Sequence, residues 1–213
     1  MYLSRLLPDL RSPLVRRDLA NGYELHRSLF SAFPSEIKEK ERLLFRVEFN
    51  RQSPHLVILV QSKLTPDWTI LDQKGYTSQS IEIKSFDPEF RNKQKLIFRL
   101  VANPTKRLKM AEKGKQGKRI GLVRDEDQLA WMERKATENG FHLLAVDIAK
   151  VPDQYSNKQE NSGRITLHGV RFDGLLEVTD ADLFNQCIVS GIGSGKGFGF
   201  GLLSVASPAL SYG

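Results

Sequence analysis

The 213-residue chain has one cysteine, 40% apolar and 9% aromatic residues, and a formal charge of +7. That composition supplies packed cores and excludes a disordered polymer and an internal disulfide; no apolar run nears the roughly 20 residues that span a bilayer. The opening Met1-Tyr2-Leu3-Ser4-Arg5-Leu6-Leu7-Pro8 lacks a signal peptide's long apolar stretch, so a soluble cytoplasmic protein with no membrane partner is expected.

Residues 1–7 open as a strand. Asn21 with Glu24 three residues on forms a capping box, which predicts a helix over 22–33 stopped by Pro34. Residues 43–50 alternate, with Leu43, Phe45, Val47 and Phe49 on one side, as a half-buried strand does. A more apolar strand follows over 55–62, a short turn or helix starts at Thr65-Pro66-Asp67, and 78–84 alternate again. Strand, helix, strand, strand, helix, strand is the ferredoxin-like plan, in a unit of about 90 residues.

The order repeats. A strand is predicted over 95–101, a helix over 125–138 and a strand over 141–148. Residues 154–163 are polar and loop-like. Residues 164–178 read as one or two strands broken near Gly169 or Asp173-Gly174. A helix over 180–189 and a strand over 197–205 close the set. The chain is therefore expected to be α+β, two tandem ferredoxin-like domains over 1–88 and 93–213.

Charge is concentrated. Lys106, Arg107, Lys109, Lys113, Lys115, Lys118 and Arg119 stand in one segment with a single acid, Glu112. Such a loop is either a salt-sensitive anchor for a polyanion or a solvated surface loop. Six glycines occupy every second position from Gly191 to Gly201. As a strand, this run would leave one face bare; as a loop, its N–H groups would cradle a phosphate. Gly191 to Lys196 is not a nucleotide-binding P-loop. Three residues, not four, precede Gly195-Lys196, and Gly197 stands where a Ser or Thr is required. No nucleotide cofactor is expected.

Four scattered histidines and one cysteine make no metal constellation, so neither metal nor other cofactor is expected. Tyr23 and His26 are three apart on the first predicted helix and share a face, with Glu24 and Arg27 beside them. His26 lies at the margin of the apolar stripe Leu25, Leu29, Phe33. On spacing alone the pair reads first as packing residues at a helix edge, and only second as a catalytic pair. The other histidines, His55, His142 and His168, read as structural or surface residues.

Together these segments resemble a known family. The carriers are Met1-Tyr2-Leu3-Ser4-Arg5, the helix Tyr23-Glu24-Leu25-His26-Arg27-Ser28-Leu29-Phe30 and the strand Phe45-Arg46-Val47-Glu48. Further on come Arg99 to Pro104, Gln128 to Lys135, Val170-Arg171-Phe172-Asp173-Gly174 and the glycine-rich stretch 191–203. Over essentially its whole length the chain resembles the CasE family, the CRISPR repeat-processing endoribonucleases of the type I-E Cascade complex. The resemblance implies metal-independent cleavage at the 3′ base of the repeat stem-loop. It also implies retention of the guide RNA and association with other Cascade subunits. It makes Tyr23 and His26 the catalytic residues. Arg164 matches a basic residue on a second-domain hairpin, and Lys196 a basic position in the glycine-rich loop. Arg27, Gly193, Gly195 and the loop cations Lys106, Arg107, Lys113, Lys115, Lys118 and Arg119 are the further RNA-binding candidates. Gly197 departs from the pattern, where Ala or Ser is more usual.

Overall fold

The computed structural model describes residues 1–34, 43–49, 56–108, 117, 119–156 and 165–208. The first unit runs β1 (Tyr2–Leu6), α1 (Pro13–Ala20), α2 (Gly22–Phe30), β2 (Leu44–Phe49), β3 (Leu56–Ser62), α3 (Thr69–Gln73), β4 (Glu82–Ser85). Its strands pair antiparallel in the order β2-β3-β1-β4. The last strand returns to lie beside the first, which is the ferredoxin-like arrangement.

Helix α1 is absent from the sequence reading. Its signal is Ser12-Pro13, since Pro at the first helical position arrives with its φ already set. It buries Val15 and also Asp18, whose carboxylate meets Arg17 at 2.6 Å and accepts from the Tyr76 hydroxyl at 3.0 Å. The capping box of α2 is half made. Asn21 Oδ1 accepts from the Tyr23 N–H at 3.1 Å, while Glu24 pairs with Arg27 instead of reaching back.

The second unit runs β5 (Lys95–Ala102), β6 (Thr105–Arg107), β7 (Arg119–Gly121), α4 (Asp125–Glu138), β8 (Phe141–Ser156), β9 (Ile165–Val178), α5 (Ala181–Ser190), β10 (Leu203–Ala206). Its sheet order, β10-β5-β9-β8, repeats the first topology, with the β6–β7 ribbon inserted before the first helix.

Three expectations are corrected here. The polar stretch from Gln154 continues β8 to Ser156 rather than starting a loop. Strand β9 is unbroken: at Gly174 an added Cβ would lie 2.0 Å from the Ala145 carbonyl oxygen, so this glycine admits a bulge of β8 and does not end a strand. The glycine run is not a strand either, and only its end, Leu203–Ala206, pairs with β5. Its alternate glycines 191, 193, 195, 199 and 201 take positive φ, so the period of two records left-handed residues in a folded turn rather than a bare sheet face.

Each unit has its own core. Leu6, Leu25, Leu29, Phe45, Ile58 and Trp68 fill the first; Phe98, Leu100, Trp131, Met132, Phe172 and Phe184 fill the second. The alternation of β2 predicts one buried face, yet Leu44 and Arg46 on its other face are buried as well. The second unit covers them. Arg46 donates to the carbonyls of Leu202 (3.0 Å) and Arg99 (3.3 Å), and Gln61 donates to the Ile188 carbonyl at 2.7 Å. No helix of the described residues is long and apolar enough to cross a membrane.

Candidate active site

Helix α2 turns its apolar side, Leu25, Leu29 and Phe30, into the first core. This leaves Tyr23 and Arg27 exposed and His26 half-buried at the edge. The His26 ring lies 4.4 Å from that of Phe30, one turn on, and 6.2 Å from that of Phe45 on β2. Burial lowers the His26 pKa below its ordinary value. Tyr23 is 52% exposed, open to a substrate that reaches the same helix face.

The glycine-rich segment of the second unit completes this site. It tightens into a 3₁₀ turn, Lys196–Phe198, bounded by Gly195 (φ 80°) and Gly199 (φ 84°). The turn lies on α2 and β2. A Cβ added at Gly197 would sit 3.7 Å from His26 Cδ2 and Nε2; one at Gly22 would sit 3.0 Å from Phe198 Cδ1; one at Gly199 would sit 3.1 Å from Phe45. An Ala at 197 would therefore fit in ordinary contact with the imidazole.

Lys196 reaches this neighbourhood through its backbone. Its ammonium donates to the Ser190 carbonyl at the C-terminus of α5, at 2.6 Å, where helix carbonyls favour a cation. Gly193 packs on Trp131 and Gly195 on Phe200, so packing accounts for their missing side chains. Arg27 is held by Glu24 at 2.5 Å.

Lys106, Arg107 and Arg119 lie on the β6–β7 ribbon and are exposed. Arg107 and Arg119 stand directly opposite each other across it. Like charges so placed repel, and a bound anion would relieve them. Arg164, Lys113, Lys115 and Lys118 lie outside the described residues. The structure thus brings Tyr23, His26, Arg27 and the 195–199 turn together, with the basic ribbon as a separate element.

Sequence reasoning missed Phe198 and Gly22 as contact partners, because no local pattern joins residues so far apart. It also missed the partner of His168, whose Nδ1 lies 3.1 Å from Asp153 Oδ2 across the bulge of β8. Buried Cys187, its thiol pushed up to about 12 by desolvation, is held as an inert thiol. Among the described residues no three His, Cys, Asp or Glu side chains gather as metal ligands would.

Known proteins share this architecture. The chain is 39% identical to the CRISPR-associated endoribonuclease Cse3 of Thermus thermophilus over 97% of its length and all of that protein's. It is 29% identical to the Cascade subunit CasE of Escherichia coli, over 97% of this chain and 99% of CasE. Cse3 bound to a 19-nucleotide RNA superimposes with a TM-score of 0.87, covering 97% of this chain and 100% of that one. Cse3 with an RNA representing a pre-cleavage complex gives 0.82, at 38% identity over 96% of this chain and 98% of that one. Tandem ferredoxin-like units and a match of residues 1–207 to the family's sequence model agree, and the chain belongs to the CRISPR associated protein family.

Proposed function

We propose that this protein is an endoribonuclease that cuts CRISPR precursor RNA at the 3′ base of the repeat stem-loop and keeps its product as a Cascade subunit in the cytoplasm. One observation carries the reading: a half-buried histidine with an exposed tyrosine three residues before it, roofed by the glycine-rich turn, in a chain 39% identical to a named endoribonuclease. The unit over 1–88 supplies the catalytic helix. The unit over 93–213 supplies the turn and the basic ribbon.

The chemistry requires no metal. The 2′ oxygen next to the scissile phosphate attacks phosphorus in line, forming the 2′-O–P bond. The P–O5′ bond breaks, leaving a 2′,3′-cyclic phosphate and a 5′-hydroxyl. His26 is kept neutral near pH 7 by its burial, so it accepts the 2′-OH proton, and the departing 5′ oxygen takes its proton from water. Tyr23, exposed on the same helix face, orients the phosphate through its hydroxyl as a hydrogen-bond donor. Lys196 exchanges the Ser190 carbonyl for the charge developing on the phosphorane, which its ammonium stabilises by direct attraction. Proton transfer contributes about 10²–10⁴ in rate, and holding the phosphate in line supplies much of the rest.

The test is cleavage of a labelled repeat hairpin in EDTA by wild type and His26→Ala. Wild type is expected to cut once at the stem base and leave a cyclic phosphate, while the variant binds with unchanged affinity and does not cut. Tight binding by both without cleavage would make the protein an RNA-holding scaffold.

A further inference from the structure

We infer that Phe198 is a positioning residue for RNA cleavage: seated on Gly22 at the first turn of α2, its ring holds the Lys196–Phe198 turn against His26. The inference rests on the catalytic reading of His26 and adds to it a part that does not touch the RNA.

The contact is close and specific. A Cβ at Gly22 would approach Phe198 Cδ1 to 3.0 Å, Phe198 Cα to 3.5 Å and the Gln154 side-chain oxygen to 3.3 Å. The missing side chain at Gly22 is therefore what admits the ring. Gly22 keeps a φ that any residue can adopt, so space, and not backbone torsion, requires glycine here. Gln154 lies near the end of β8, so the long hairpin strand meets the helix at the same spot as the turn.

The turn is stiff once seated. Left-handed glycines bound it, and the Phe198 and Gly199 N–H groups close it onto the carbonyls of Gly195 (2.9 Å) and Lys196 (3.3 Å). One residue before the ring, a Cβ at Gly197 would lie 3.7 Å from His26; one residue after it, a Cβ at Gly199 would lie 3.1 Å from Phe45, itself a neighbour of His26. Seating of Phe198 thus fixes the roof of the imidazole and the backbone that carries Lys196. Phe198 is only partly buried and belongs to neither core, so the fold does not rest on its ring.

The burial that depresses His26 gives a second readout. The groups packed on the imidazole, Phe30, Phe45 and Gly197, carry no charge, so its lowered pKa follows desolvation. Unseating the turn admits water and returns the value toward about 6.5.

The experiment is single-turnover cleavage of the repeat hairpin at saturating protein, with affinity measured on the same hairpin carrying 2′-deoxy at the scissile nucleotide. Phe198→Ala is expected to slow cleavage about 10- to 100-fold, the scale on which misplacement of about 1 Å acts. Affinity should stay within about twofold and the unfolding midpoint near wild type. The acid limb of the pH–rate profile should move up, and Phe198→Tyr should restore most of the rate. Gly22→Ala, which should otherwise favour the helix, should slow cleavage in the same way, and it carries the test if Phe198→Ala does not fold. Wild-type cleavage by these variants, or a loss of rate matched by an equal loss of affinity, overturns the inference. Wild-type cleavage by His26→Ala would instead overturn the functional reading beneath it.

Discussion

His26 sits between two environments. Phe30 and Phe45 remove water from one side of the ring, and the other side meets a backbone turn. The folded chain therefore takes up this proton at lower pH than the unfolded chain does. The contribution of His26 to stability accordingly declines as pH falls below about 6.5, where the unfolded imidazole is protonated first. For catalysis the same shift fixes a sign. With neutral His26 as base, cleavage under subsaturating RNA should be level near pH 7 and fall on the acid side with an apparent pKa below about 6.5. A rate that instead rises as pH drops through that range would make His26 the acid for the 5′ oxygen. The histidine and its tyrosine were legible as a pair because helix spacing puts them on one face. Their surroundings were not, because Phe45 and Gly197 come from elements remote in sequence.

The glycine-rich turn shows what an element's sequence conceals. Alternate glycines read as a strand by period, yet the backbone uses them as left-handed joints around three helical residues. Joints and spacers then respond differently to substitution. Gly199→Ala places a side chain at φ 84° and 3.1 Å from Phe45, and should cost about 1–2 kcal/mol and slow cleavage. Gly197→Ala meets His26 at an ordinary 3.7 Å with no positive φ, and should fold and cleave as well as wild type. Thermal unfolding with single-turnover rates for the two variants checks the contrast. The basic ribbon is read directly from charge, since clustered cations need no tertiary partner to be recognised. Its described part already sets Arg107 against Arg119. If the loop between them grips phosphates, replacing Lys113, Lys115 and Lys118 with glutamine should weaken hairpin binding. The slope of log affinity against log salt should flatten by about 0.7–0.9 for each phosphate that is no longer neutralised. An unchanged slope would return the loop to ordinary solvated surface.

At the scale of the whole molecule, the site belongs to neither unit alone. The order of elements was legible because each strand and helix carries its own period, and the repeated topology followed from that order. How the units face each other was not, because it is decided by polar groups that look solvent-facing in one dimension. Arg46 is the case in point. It stands on the face of β2 that alternation assigns to water, yet its side chain is only 3% exposed. Its guanidinium donates to Glu48, to the Ser204 hydroxyl and to the carbonyls of Leu202 and Arg99, so one planar fork ties the first sheet to the second. Truncation would strand these acceptors, and breaking a buried ion pair from one side costs about 3–5 kcal/mol. Arg46→Ala should therefore lower the urea midpoint by a corresponding amount. Arg46→Lys should recover only part of it, because an ammonium cannot reach four acceptors in the geometry of the fork. Cleavage at saturating RNA should fall as well, since His26 rides on the first unit and its roofing turn on the second. A wild-type midpoint in Arg46→Ala would show that the apolar packing of Leu44 against the glycine segment holds the units without it. A second unfolding transition would show the two units parting before either melts.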